Sequence, residues 1–519
     1  MSNSNEQTAA DVLVIGGGLA GTWAAIGAAR EGASVILADK GYCGTSGVAA
    51  SGGPGHWWVA PEEREAAIEK RQQASRFGLS ERAWMRRIME ETWEQLPTME
   101  GYYAFHTDAN GQKHYRGLRG PEYLRALRAR CIALGVRILD QSPAVELLMH
   151  NDGAVAGARL YQRQRRRNLD VRAAGVVVAT GGCAFMSGLL GSQTNTGDGY
   201  LMAAEAGAVF SGMEFSSQYC VAPAHTTMTR TMIYTFADYF DGDGKQLDIT
   251  FFGNMDRQLA AELLKGPVYC NLQRLPEDIR AALPSISPNV PLPFNRMGID
   301  PYKDRFGVTL HAEGTIRGVG GIDIYGTQCE TNVPGLYAAG DAASRERVAG
   351  AISGGGSINA SWALSSGIWS GRAVAKRAKA QGHRSRETAG GAAQQGLPST
   401  QANAVDAKQL VASVQAEMLP YEKNIFRSGD KLRASLNKLD DTWRALQEGV
   451  AGADTQKTRE ATALIATARW CYSAALAREE SRGQHQREDF PTTNPALAHR
   501  LQVGGLDHVW TRAEQEPVQ

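Results

Sequence analysis

The stretch Asp11-Val-Leu-Val-Ile15-Gly-Gly-Gly-Leu-Ala-Gly21-Thr-Trp-Ala-Ala-Ile-Gly-Ala-Ala-Arg30, with Ser34-Val-Ile-Leu-Ala38-Asp39 shortly after it, decides the fold class. Asp11–Ile15 is a short apolar run of β character, Thr22–Arg30 is an alanine-rich helix, and Ser34–Ala38 is a second strand that ends in an acid, Asp39. Strand, glycine turn, helix and strand in that order make a βαβ unit. Gly16, Gly18 and Gly21 have the spacing of a dinucleotide-binding turn. Gly16 permits the tight bend, Gly18 lets the backbone approach a pyrophosphate, and Gly21 lets the helix pack closely on the strand. Free amides at the helix start and the positive end of the helix dipole suit phosphates. Asp39 stands where a carboxylate accepts hydrogen bonds from ribose hydroxyls.

Ala174–Ala179 is a near-continuous apolar run ending in Thr180-Gly181-Gly182, and Gly335–Ala339 repeats the pattern before Gly340-Asp341. Both read as buried parallel strands whose carboxyl ends open onto a ligand. Between them, about 220–330, prolines and aromatics suggest a separate mixed α/β lobe. From Gln381 to about Ala407 the composition shifts to Gly, Ala, Gln, Ser and Thr, as in a linker. Beyond it Leu410, Val414, Met418, Leu432, Leu436 and Leu439 recur at near-helical spacing, which predicts a helical C-terminal domain.

Fifty-five basic and 54 acidic side chains leave a formal charge of +1 over 519 residues. No global field draws the chain to nucleic acid or to an anionic membrane. The one basic run, Arg163–Arg167, lies between strand-like segments and reads as a solvated hairpin tip. No stretch approaches the roughly 18 uninterrupted apolar residues of a membrane helix. Met1–Ala10 lacks the basic and apolar regions of a secretory signal, so a cytoplasmic location is expected. The seven cysteines, Cys43, Cys131, Cys183, Cys220, Cys270, Cys329 and Cys471, include no CxxC pair. That argues against a metal site or an iron–sulfur cluster held by this chain.

Further motifs give the chain a resemblance to the flavoprotein subunits of fumarate reductase and succinate dehydrogenase, with L-aspartate oxidase and adenylylsulfate reductase. Thr45-Ser46-Gly47-Val48-Ala49-Ala50-Ser51-Gly52-Gly53 resembles that family's second flavin-contacting loop, and Asn195-Thr196-Gly197-Asp198-Gly199-Tyr200 its helix beside the flavin. Met213-Glu214-Phe215, Gly335–Asp341 and Arg478-Glu479-Glu480-Ser481-Arg482-Gly483 continue the likeness in the family's order. The resemblance implies an α/β fold: a Rossmann-like FAD-binding domain in two parts, 1–219 and 331–380, an inserted α+β capping domain, 220–330, a linker, 381–407, and a C-terminal helical domain, 408–519. It implies FAD held by Gly16, Gly18, Leu19, Ala20, Gly21, Asp39, Lys40, Thr45, Ser46, Gly52, Gly53, Val145, Ala179, Thr180, Gly181, Asp198, Gly340, Asp341, Ser357 and Ile358, and no metal.

The departures from that family narrow the chemistry. Ser46 stands where members with covalent FAD have a histidine, so the flavin is expected to be noncovalent. Ser216-Ser217-Gln218 replaces a substrate-gripping His-Pro-Thr segment, and Ile352 replaces an arginine that holds a carboxylate. An aliphatic side chain cannot pair with a carboxylate in a desolvated pocket, so succinate and fumarate become poor candidates. Arg257, in Arg257-Gln-Leu-Ala-Ala-Glu262, aligns with the family's proton-delivering arginine, and His311 precedes its Gly-Gly-Ile turn; both are the catalytic candidates. The expected activity is hydride transfer between FAD and a small organic substrate. An alternative makes this the FAD-bearing subunit of a two-component enzyme with a ferredoxin-like iron–sulfur partner.

Overall fold

The computed structural model describes residues 6–75, 77–108, 110–229, 231–250, 254–381, 390–392, 400–448, 450–451 and 455–514. Its centre is a parallel sheet of β1 (Val12–Ile15), β2 (Val35–Ala38), β3 (Arg137–Leu139), β4 (Gly175–Val178) and β5 (Leu336–Ala338), in the order β3-β2-β1-β4-β5. This is a doubly wound arrangement, in which ligands bind at the carboxyl ends of strands beside the point where strand order reverses. β1, β2 and β4 are fully buried, which explains why they read as unbroken apolar runs rather than alternating ones.

Helix α1 (Leu19–Arg30) starts three residues earlier than its composition suggests, because Gly18 acts as its cap and the glycine turn passes straight into the helix. α1 packs along α3 (Gly355–Gln381), where a Cβ on Gly371 would lie 2.0 Å from the Ala24 carbonyl oxygen. Between them in sequence, α2 (Asp198–Glu205) begins at the left-handed Gly197 and carries Asp198 to the end of β4. A second sheet joins Glu6–Ala9, Arg167–Arg172, Val155–Gln162, Ala144–Met149 and Gly390–Gly391. The last of these falls inside the expected linker, as does the strand Thr400–Asp406, so part of that stretch is ordered as β-structure; 382–389 and 393–399 lie outside the described residues. The basic run is the tip of the Val155–Gln162/Arg167–Arg172 hairpin, although Arg163 turns inward and donates to the Lys40 carbonyl at 2.9 Å.

The capping lobe is an antiparallel sheet ordered Tyr219–Pro223, Phe306–Ala312, Tyr269–Asn271, Asp238–Phe240, Gln246–Leu247, with helices including Met255–Leu263 and Glu277–Ile286. It has its own apolar core. The C-terminal part supplies three long helices, Ala407–Met418, Gly429–Glu448 and Thr455–Ala477. It ends in two strands, Leu501–Gly504 and Trp510–Ala513, the first of which pairs with Phe210–Ser211 of the nucleotide-binding part.

A buried charge network joins these parts. Arg478 contacts Glu214 at 2.7 Å and Glu480 at 2.9 Å, and Arg482 contacts Glu480 at 2.6 Å, with all four side chains buried. Beside them Glu346 accepts a 2.5 Å bond from the Ser211 hydroxyl, while its other oxygen has no hydrogen-bond partner. Burial, and then the nearby Glu214, push the Glu346 carboxyl up to about 8. Its folded state therefore holds a proton that the unfolded chain has lost. The resulting stability is complete below about 4.5 and disappears as pH rises through about 8. Thermal melts across that window should show stability falling with pH, by at most about 1.4 kcal/mol per pH unit. Glu346→Gln, a neutral stand-in for the acid, should flatten the slope; an unchanged slope would place the titration elsewhere.

Candidate functional site

A long cleft runs from the carboxyl ends of β1, β2 and β4 to the underside of the capping lobe. Gly16, Gly18, Leu19 and Ala20 line it from the first turn, and Asp39, Lys40, Ser46, Gly52 and Gly53 from the segment after β2. Ala179, Thr180, Gly181, Asp198, Gly340 and Asp341 line it from the ends of β4, α2 and β5. Gly21 lies beneath it: a Cβ there would sit 1.7 Å from the Gly16 carbonyl oxygen, so no other residue lets α1 approach the turn. Val145 faces a smaller neighbouring hollow with Asp198 and Glu460. Thr45 points to the Tyr42 carbonyl, and Ser357 and Ile358 sit on α3 next to Gly356, Asn359 and Ala360, which do reach the cleft.

Asp39 is almost fully buried, and its carboxylate holds the floor of the cleft together. One oxygen accepts from the Gly17 amide at 2.6 Å; the other accepts from the Gly41 amide at 2.7 Å and the Ser46 hydroxyl at 2.6 Å. The residue expected to hold a ribose thus also binds the two loops that frame it. Lys40 contacts Asp198 at 2.5 Å and Glu460 at 3.0 Å and donates to Thr196 at 2.9 Å. Burial opposes its charge, but Asp198 and Glu460 outweigh that and hold its ammonium above the ordinary lysine range. Glu460 belongs to the Thr455–Ala477 helix, so the C-terminal part closes this end of the cleft.

The cleft fits a dinucleotide on its own terms. α1 begins without a side-chain cap, leaving its first amides directed at the Gly16–Ala20 wall. Three side chains that line it carry buried polar atoms without partners: the Thr180 hydroxyl, the Asn195 side-chain oxygen and both amide atoms of Asn359. Buried polar groups are rarely left unpaired in the absence of a ligand or water. Among the described residues no histidine lines the cleft, and the Ser46 hydroxyl is turned toward Asp39 and the Tyr42 carbonyl.

The two catalytic candidates lie outside the cleft. Arg257 donates to the Ile425 carbonyl at 2.8 Å, and its guanidinium lies 4.4 Å from the Phe426 ring centroid. A peptide carbonyl and an aromatic face of the C-terminal part hold its guanidinium there. His311 has its Nδ1 2.8 Å from the Ser187 carbonyl oxygen and its Nε2 2.8 Å from that of Thr226. It lines a separate groove with Leu310 and Tyr421.

The charged groups that do face the capping-lobe end are Glu313 and Arg317, on the turn Gly314–Arg317 and its cap. Their closest approach is 3.7 Å; Glu313 is buried, whereas the Arg317 side chain keeps 40 % of its surface open within the cleft. Burial pushes the Glu313 carboxyl up despite Arg317, and Glu313 beside it raises Arg317. Asp341 is tied to Arg345 at 2.6 Å, and Arg345 is fully buried against the carbonyls of Thr315, Ile316 and Gly318. Burial raises Asp341 against the pull of Arg345 and Arg317. The sequence held a signal for Arg317: it immediately precedes Gly318-Val319-Gly320-Gly321-Ile322, the turn that resembles the family's flavin-side loop.

Comparison with known proteins bears on the fold and the cofactor. An FAD-binding-domain model matches residues 11–231, and a model of the fumarate reductase flavoprotein C-terminus matches residues 416–515. A fumarate reductase (CoM/CoB) subunit of Methanothermobacter marburgensis is 24 % identical over 93 % of this chain and 95 % of its own. The L-aspartate oxidase of Mycobacterium tuberculosis is 27 % identical over 96 % of both. Among solved structures, E. coli quinol fumarate reductase superposes with a TM-score of 0.82 at 20 % identity, covering 99 % of this chain and 98 % of that one. Adenylylsulfate reductase of Archaeoglobus fulgidus gives 0.78 at 17 % identity, covering 99 % and 97 %. At such identities the structural likeness speaks for the fold.

The Asp39 contacts predict that Asp39→Ala weakens retention of the bound nucleotide by about 1–3 kcal/mol, through loss of charge-assisted bonds that shape the floor. Fluorescence titration of the stripped protein with FAD checks this. Unchanged affinity would transfer the ribose contact to another group.

Proposed function

Because the chain belongs to the FAD-dependent fumarate reductase and succinate dehydrogenase flavoprotein family and is an oxidoreductase, we propose that it transfers a hydride between noncovalently held FAD and an organic substrate other than succinate or fumarate. The observation that carries the reading is the continuity of one cleft from the Gly16–Gly18 turn to the Glu313–Arg317 pair under the capping lobe. FAD, when bound, supplies two-electron hydride chemistry. The chain's own residues orient, shield and manage protons. The first amides of α1 meet the phosphates, Asp39 the ribose, and Thr180, Asn195 and Asn359 have polar atoms without protein partners.

At the far end Arg317 presents its guanidinium to the cleft, where it binds and orients a substrate oxygen. Glu313, buried behind it, holds a proton more readily than an ordinary carboxyl and exchanges it with the substrate side. The capping lobe, which touches the second glycine loop through Asn289 and the Ser51 carbonyl at 3.2 Å, excludes water. Short dicarboxylates need a cation at each end. The cleft's other guanidinium, Arg119, is half-exposed and paired with Glu122 at 3.0 Å, and Ile352 occupies the position of a carboxylate-holding arginine.

A second reading has one observation in its favour: the methanogen relative is named as one subunit of its enzyme. The described residues contain no group of side chains able to hold a metal ion, and no described helix is long and apolar enough to cross a membrane. An FAD-bearing subunit with a ferredoxin-like iron–sulfur partner would co-purify with a broad iron–sulfur band beneath the flavin peaks.

Three outcomes are expected of the purified protein. Acid precipitation releases its flavin to the supernatant; flavin left on the polypeptide would contradict noncovalent binding. Succinate and fumarate turn over at least roughly 30-fold more slowly than a true substrate, the effect of about 2 kcal/mol or more of lost carboxylate binding; robust fumarate reduction would overturn the assignment. Arg317→Ala retains FAD but loses roughly 10²–10⁴ in turnover, whereas Arg257→Ala costs about 1–3 kcal/mol of stability and leaves turnover near wild type. The reverse pattern would move the substrate-facing role from Arg317 to Arg257.

A further inference from the structure

Resting on the reading that this cleft holds FAD and substrate together, we propose that the substrate is an amphipathic monocarboxylate. Its carboxylate sits on Arg317 and its apolar body lies against the capping lobe, pointing along Ile233, Leu283 and Val290.

The guanidinium of Arg317 meets only Glu313, through its Nε, at 3.7 Å. Among the described residues neither of its terminal amino groups has a hydrogen-bond partner, so a planar two-pronged donor is left facing the cleft. The shape matches the two oxygens of a carboxylate. Nearby competition for an anion is small: Asp341 is engaged by Arg345 at 2.6 Å, and Glu313 is buried behind Arg317. The other guanidinium among the described lining residues, Arg119, has one terminal nitrogen on Glu122 at 3.0 Å and is half-exposed.

The lobe side of the cleft is mainly apolar, with Thr229 and Ser287 as its polar members among the described residues. Ile316, Leu189 and Cys220 pack as one cluster against Val48 of the second glycine loop. Ile233, Leu283 and Val290 are part of the lobe's own core yet contribute to the cleft wall. Leu283 and Val290 also line a second cavity of about 560 Å³ with Leu272, Phe294, Ile299 and Tyr302. A body longer than a few carbons therefore has apolar surface to cover, and displacing water from it favours binding. A second carboxylate in that position would be desolvated without a partner.

The test is equilibrium dialysis of the FAD-loaded full chain with butyrate, hexanoate and octanoate, and with succinate. Affinity should rise by roughly four-fold per added methylene, the effect of burying about 0.8 kcal/mol of apolar surface each; hexanoate should exceed succinate. Arg317→Gln should weaken the whole series by roughly ten-fold or more while keeping its chain-length slope. Leu283→Asn should flatten the slope and leave butyrate binding unchanged. Flavin retention by each variant verifies the fold, and Arg317→Lys, expected to give an intermediate loss, replaces Arg317→Gln if that variant sheds FAD. A flat chain-length series, succinate binding as tightly as hexanoate, or an Arg317→Gln protein that binds as well as wild type would each overturn the proposal. Those results would leave hydride transfer standing. Failure of any metabolite to exchange electrons with the flavin would instead remove the redox reading, whatever the dialysis shows.

Discussion

The structure depends on a contact between backbones at one turn. Gly21 lets α1 rest on the Gly16 carbonyl, where a Cβ would come to 1.7 Å, and Gly16 lets the turn rest on the Ala179 carbonyl, where a Cβ would come to 2.3 Å. Side chains at those positions would push α1 off the sheet and β4 away from β1. The contact sets the ends of β1 and β4 and the start of α1 against one another, which gives the cleft its floor and points the helix's free amides into it. Asp39 then ties the segment after β2 to the same turn, through the Gly17 amide.

Charge is arranged along the cleft in pairs that couple distant parts of the chain. Lys40 with Asp198 and Glu460 joins the nucleotide-binding part to the long C-terminal helix. Arg345 with Asp341, fully buried among the carbonyls of Thr315, Ile316 and Gly318, fixes the turn that carries Arg317. Arg478 and Glu214 extend the same logic behind the site. Ligand binding in this cleft thus draws on three regions of sequence, and removing one partner of a buried pair leaves an uncompensated charge.

The parts legible in the sequence are those fixed by short-range backbone rules. The glycine spacing, the acid at the end of β2 and the apolar parallel strands announce the nucleotide site, because each function there needs a particular residue within a few positions of the next. The end of the cleft under the capping lobe is set by long-range packing. Arg257 has the right local pattern, yet the carbonyl of Ile425, 168 residues away, captures it. His311 is likewise claimed by the carbonyls of Ser187 and Thr226. Arg317 is marked in the sequence only by its place before the Gly318–Ile322 turn, and it is identified by facing the cleft. The start of α1 is displaced by a smaller effect: a glycine turn looks like loop in composition but contains the helix cap.

The central claim is that this cleft makes FAD exchange electrons with an organic substrate under the capping lobe. The most direct test is anaerobic visible spectroscopy of the yellow protein, oxidised in one cuvette and photoreduced in another, each mixed with pooled metabolites. The account predicts that one of the two changes redox state, the flavin band bleaching or returning as a metabolite is consumed, and that the change is abolished in Arg317→Ala with FAD still bound. A flavin that keeps its redox state in both cuvettes, with FAD retained throughout, would contradict it.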